Sequence, residues 1–192
     1  MQFRDIVTQC RSYRRFDSGV PVTEDAVRDL VELVCYVPSE KNLQPLKYIS
    51  VSEPAIVAAL FPFLSWAGYL ADWPGPMEGE RPTAYIVMLG DQSISTEFAC
   101  DSGIAAQTLL LGATASGIGG CVVASLDRPK IRELLKIPEK YPILMVIALG
   151  KPQETVVIDQ MSGDDSVRYF RDVHSIHHVP KRMLDDVLLR FH

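Results

Sequence analysis

Arg11, Ser12 and Arg14 set two guanidinium forks and a hydroxyl within four residues. That donor set suits a phosphate, because a planar guanidinium engages two oxygens at once. Read in isolation, Arg11-Ser12-Tyr13-Arg14-Arg15 is equally a solvated charged turn. A second cationic pair, Lys181-Arg182, stands just ahead of an apolar stripe near the end of the chain. If that stripe is a helix, the pair adds its charge to the exposed amides of a helix N-terminus, a second phosphate-binding arrangement.

Two uncharged clusters lie between these ends. Pro38-Ser39-Glu40-Lys41-Asn42-Leu43-Gln44-Pro45 offers neutral donors and acceptors from Ser39, Asn42 and Gln44. Such groups match hydroxyls and heterocycle edges, although an ordinary polar loop has the same composition. Gly117-Ile118-Gly119-Gly120-Cys121 supplies glycines that permit positive φ and close backbone approach to a ligand. It is not a dinucleotide fingerprint, since Val122 stands where the last glycine belongs and a helix rather than a strand precedes it. A helix C-cap is the plain alternative, and both roles are compatible.

The elements that must position these clusters follow from periodicity. Thr23 predicts an N-cap, with Glu24 and Asp25 at the positive end of a helix. Val27, Leu30, Val31, Val34 and Val37 continue it at helical spacing until Pro38. Residues 48–52 alternate as a strand, 84–89 and 143–149 read as buried strands, and 121–126 as a shorter one. Residues 96–116 lack proline and are apolar nearly all round, which predicts a helix enclosed by protein, a partner chain included. Asp127 and Pro129 open a short helix, and Leu184, Val187, Leu188 and Phe191 form the final stripe. Residues 62–82 mix Trp66, Tyr69 and Trp73 with prolines and glycines, as a loop over a pocket would, or a surface loop pinned by its rings.

Composition bounds the rest. A chain of 192 residues is most simply one domain, and a net charge of −5 argues against a general nucleic-acid or anionic-membrane binder. No apolar run reaches the roughly 20 residues of a bilayer span, and no signal-peptide pattern opens the chain. Cys10, Cys35, Cys100 and Cys121 are scattered, so a reducing, cytoplasmic setting is expected. His174, His177 and His178 have no carboxylate or cysteine at metal-ligand spacing, Ser12 and Ser39 no neighbouring histidine, and Asp164-Asp165 read as turn residues.

The ordered set Arg11-Ser12-Tyr13-Arg14, Pro38-Ser39-x-x-Asn42-x-Gln44-Pro45, Gly117-Ile118-Gly119-Gly120-Cys121 and Lys181-Arg182 resembles the FMN-dependent nitroreductase family across nearly the whole chain. The resemblance implies an α+β fold: a three-layer α-β-α sandwich with a central, mostly antiparallel sheet, in an intertwined homodimer of one domain spanning 1–192. It implies that FMN carries the chemistry and that no side chain is catalytic. Hydride from NADH or NADPH would reach flavin N5 and pass, by ping-pong turnover, to a nitroaromatic, quinone or similar small acceptor. Arg11 would lean on the phosphate and Arg14 on the pyrimidine end. Pro38, Ser39, Asn42 and Gln44 would reach the flavin of the opposite subunit, and the backbone at Gly119 and Gly120 would face N5. Lys181 and Arg182 would complete the phosphate site, and Trp66, Tyr69 and Trp73 would shape the choice of acceptor. Members commonly carry Trp after the second proline of the loop, where this chain has Leu46. Specialised relatives (dehydrogenases, dehalogenases, oxygen-dependent enzymes) and a non-catalytic flavin module are the alternatives.

Overall fold

The computed structural model describes residues 2–163 and 165–190. These fall into two compact units, one running to Trp66 and resuming over Gly75–Gln153, the other formed by Ala67–Pro74 and the residues from Glu154 onward.

The first unit is built on β3 (Ala84–Gly90), every residue of which is buried. β2 (Leu46–Val51) flanks it on one side and β5 (Ile143–Pro152) on the other, both antiparallel. The far edge of β5 pairs with β4 (Gly119–Val123) and then with the short β1 (Phe16–Asp17), again antiparallel. Strand side chains alternate between faces. Tyr85, Val87 and Leu89 therefore join Val57, Leu60 and Ile131 in one apolar cluster, under α3 (Pro54–Leu60) and α5 (Arg128–Leu135). Ala84, Ile86 and Met88 join Val27, Leu30, Ala105 and Leu109 in the other, under α2 (Glu24–Leu33) and α4 (Ala99–Ala115). This is the expected three-layer α-β-α arrangement around an antiparallel sheet. α1 (Phe3–Gln9) buries none of its residues.

Several expected signals operate as chemistry predicts. Thr23 accepts the Ala26 amide at the start of α2, and Asp127 accepts that of Lys130 at the start of α5. α2 is shorter than its apolar spacing suggests. It ends at Leu33, and Val34–Tyr36 tighten into a 3-10 turn, so Val34 and Val37 lie outside it. Pro38 forces Val37 into extended backbone (φ −84°, ψ 154°), and the chain leaves helical geometry before reaching it. β4 starts at Gly119 rather than Cys121, so both glycines are strand residues.

The second unit carries a three-stranded sheet in which β8 (His177–Lys181) runs parallel to β6 (Val156–Gln160) and antiparallel to β7 (Phe170–Arg171). The final stripe forms only a single turn, α6 (Leu184–Val187), with Leu184, Val187 and Leu188 exposed. Phe191 and Asp164 lie outside the described residues.

Candidate functional site

α4 organises the first unit's polar clusters along its length. It closes in a Schellman motif: the Ile118 amide donates to the Ala113 carbonyl at 2.8 Å, the Gly117 amide to Thr114 at 3.0 Å, and Gly117 takes φ +71°. The glycine run is thus a helix cap at its first residue and a strand from Gly119 onward. Ser12 forms a parallel bridge with Gly120, and the Tyr13 amide donates to the Gly120 carbonyl at 3.1 Å. Glycine is required here by proximity: a Cβ on Gly119 would meet Tyr13 Cδ2 at 2.9 Å and Pro152 Cγ at 2.5 Å. Two of the four predicted segments, 11–14 and 119–120, therefore lie side by side.

Within the first of these, Arg11 Nη2 donates to the Val7 carbonyl at 2.9 Å and closes the end of α1. Arg11 Nε is buried and has no partner among the described residues. The Ser12 hydroxyl is on an exposed residue, and Arg14 folds back to donate from Nη1 to the Ser12 carbonyl at 3.3 Å. Arg15 turns away to pair with Glu80 at 3.1 Å.

The 38–45 loop is fastened to the other end of α4. Asp101, buried in the helix's first turn, accepts the Ser39 hydroxyl at 2.5 Å and the Glu40 amide at 2.8 Å. Ser39 Oγ in turn accepts the Gln44 amide at 2.8 Å, and Gln44 Nε2 donates to the Asn42 carbonyl and to Asn42 Oδ1. Three non-glycine residues, Lys41, Asn42 and Gln44, hold φ between 52° and 56°. Each costs of order 1 kcal/mol or more, so the surrounding bonds over-determine the loop's shape. Ser39 is thereby occupied with Asp101 and Gln44, while Asn42 and Gln44 are exposed. The anchor Asp101 belongs to none of the four sequence segments. Its signal is a lone acid in the first turn of a helix otherwise free of charge. Between Asp101 and Leu110, which touches the position of a Gly120 Cβ, α4 rises roughly 14 Å.

Beside this loop opens a cleft of about 330 Å³, walled by Val31, Val34, Val37 and Leu46 with Tyr48 and Asp101 among its polar groups. Burial pushes the Tyr48 hydroxyl well above its ordinary pKa, and Cys35 and Asp101 add to the rise.

The aromatics of 62–82 are divided. Trp66 packs against the first unit's core and stacks on Phe61 at 5.8 Å. Tyr69 and Trp73 belong to the second unit, as do Lys181 and Arg182, both exposed. Lys181 ends β8 rather than sitting in a loop, and the following helical turn is capped by its own acid, Asp186, which accepts the Met183 amide at 3.0 Å. That turn is too short and too acidic to serve as the expected anion site. His178 Nδ1 lies 2.9 Å from Asp159 and its Nε2 3.5 Å from Asp172; burial opposes its charge, yet the two carboxylates prevail and raise its pKa. Among the described residues no group of three His, Cys, Asp or Glu side chains is placed to hold a metal, and no helix is long and apolar enough to cross a membrane.

The fold is α+β, and comparison with known proteins gives its family. The model of the nitroreductase family matches residues 7–151, and the chain belongs to that family of oxidoreductases. The NADPH-flavin oxidoreductase of Vibrio harveyi is 27% identical over 161 residues, covering 75% of this chain and 63% of that protein. Among solved structures, a nitroreductase family protein from Streptococcus pneumoniae superposes over 100% of both chains with a TM-score of 0.69 at 17% identity. An FMN-dependent nitroreductase from Clostridium difficile covers 83% of this chain and 91% of its own, with a TM-score of 0.63 at 22% identity.

Proposed function

We propose that this chain is an FMN-dependent oxidoreductase that moves reducing equivalents from NADH or NADPH to a nitroaromatic, quinone or similar acceptor. The observation that carries the reading is the apposition of 11–14 on Gly119–Gly120, with a buried Arg11 Nε lacking a partner among the described residues. A buried guanidinium nitrogen without a partner is costly, and a phosphate oxygen satisfies it. The donor set also fits: a guanidinium fork beside a hydroxyl on an exposed residue.

In this reading Arg11 and Ser12 grip the phosphate. Arg14 sets positive charge near the pyrimidine end, which favours the reduced form. The loop held by Asp101 offers Asn42 and Gln44 to the flavin of a second copy. Bound FMN supplies hydride chemistry, so that a nitro group becomes a nitroso group at the expense of one NAD(P)H and one proton, with release of water. Exposed Phe3 and Val7 on α1, and Leu184, Val187 and Leu188 at the other end, support a homodimer that covers them. Four free cysteines support a reducing, cytoplasmic setting.

The test is the absorbance spectrum of the purified protein, then anaerobic titration with NADH and NADPH. The reading expects flavin bands that released FMN accounts for and that bleach on adding the nicotinamide. Colourless protein that takes up no added FMN overturns it.

A further inference from the structure

Three donors buried in the first unit have no hydrogen-bond partner among the described residues: the Tyr85 hydroxyl, Arg81 Nε and Trp66 Nε1. Buried polar groups are nearly always paired, so each of these atoms asks for an acceptor that the chain does not supply. Tyr85 has no exposed surface, and it packs among Val51, Val57 and Leu60, whose side chains offer its hydroxyl nothing.

Phe61, in the 3-10 turn that follows α3, gathers two of the three. Arg81 lies over its ring with Cζ 4.2 Å from the centroid, and Trp66 stacks on it at 5.8 Å with the planes 29° apart. Arg81 also reaches the third: its charge opposes the rise that burial imposes on the pKa of the Tyr85 hydroxyl. The indole edge that carries Nε1 is closed off by Gly75 (φ +116°), where a Cβ would stand 2.7 Å from Trp66 Cδ1 and 3.4 Å from Nε1. Glycine alone lets the backbone come so near the ring. Glu80, the acid next to Arg81 in sequence, is taken by Arg15 at 3.1 Å. Among the described residues no carboxylate pairs with half-buried Arg81.

We infer that Tyr85, Arg81 and Trp66 form a binding site for a small monoanion of halide or formate size. A hydroxyl, a guanidinium and an indole N–H can all donate, so one acceptor bearing negative charge satisfies them together. An anion serves better than water because Arg81 otherwise keeps its charge without a counterion. One guanidinium calls for one negative charge, and the apolar walls around Tyr85 and Phe61 suit a small ion rather than a polyanion. Binding involves no flavin, so failure of this site leaves the oxidoreductase reading untouched.

Chloride and formate are the probes, added to the whole chain at constant ionic strength with bulky gluconate making up the balance. The indole N–H resonance of Trp66, assigned by its persistence in Trp73→Phe, is expected to move saturably with either probe. Its midpoint should rise about tenfold in Arg81→Gln. Tyr85→Phe keeps the ring and loses only the hydroxyl, and should raise the midpoint about threefold even if Arg81→Gln fails to fold. Thermal unfolding supplies a second readout: chloride should raise the Tm of the wild type more than that of Tyr85→Phe. A resonance that ignores both probes, or that moves equally in wild type and Tyr85→Phe, overturns the site. Magnetisation transfer from an ordered water to that indole at saturating chloride overturns it too, since water is then the occupant.

Discussion

The Ser39 hydroxyl donates to Asp101 at 2.5 Å while accepting the Gln44 amide at 2.8 Å, so one side chain couples both ends of the loop to the start of α4. Asp101→Ala leaves the Ser39 hydroxyl and the Glu40 amide without their partner in a part-buried place, which should cost about 1–2 kcal/mol in urea unfolding. Asp101→Asn keeps an acceptor and should cost less than half as much. If both variants unfold like the wild type, Asp101 does not anchor the loop.

Gly119→Ala drives a methyl group between the Tyr13 ring and Pro152. Overpacking of this kind costs roughly 1–3 kcal/mol. Tyr13→Ala in the same chain should recover part of that loss but not all, because Pro152 still intrudes. Full additivity of the two substitutions, measured by thermal unfolding, would show that the ring and the glycine do not interact.

Arg11→Ala should reduce FMN retention after dialysis at least tenfold, read as flavin absorbance per protein, with far-UV dichroism unchanged. Arg11→Lys should fall between, since it keeps the charge and loses the fork. The lost bond to the Val7 carbonyl should lower stability by no more than about 1 kcal/mol. Wild-type occupancy in Arg11→Ala would remove the residue from the phosphate site.

His178 stands between Asp159 and Asp172, and its folded pKa is raised above 6.5. A raised folded pKa means that the imidazolium stabilises the fold fully below the unfolded value. That contribution fades as pH climbs through the folded value. Proton NMR of the His178 ring should titrate above pH 6.5, and Asp159→Asn should move the midpoint downward. A midpoint at or below 6.5 in the wild type contradicts the two-carboxylate arrangement.

Much of the first unit was legible because its signals are local. Thr23 and Asp127 announce their helices by side chains that reach amides three residues on. Residues 84–89 and 143–149 read as buried strands because continuous apolar runs have no other place to go. The end of α2 is not legible in the spacing, since valines keep helical periodicity into a stretch where Pro38 has already dictated extended backbone. The second unit's sheet is not legible because Val156–Gln160 is short and ends in Asp159 and Gln160, Phe170–Arg171 is only two residues long, and His177–Lys181 contains a proline. The stacking of Trp73 on Arg171 joins residues far apart in the chain, and no spacing rule announces such a pair.

β3 gives its even-numbered side chains to one helical layer and its odd-numbered ones to the other, and both neighbouring strands hang from its backbone. Neither half of the first unit can therefore solidify alone. A wound at Ile86 reaches the opposite side of the slab through Tyr85 and Val87, and the polar fittings at the two ends of α4 come undone in the same event as the slab itself.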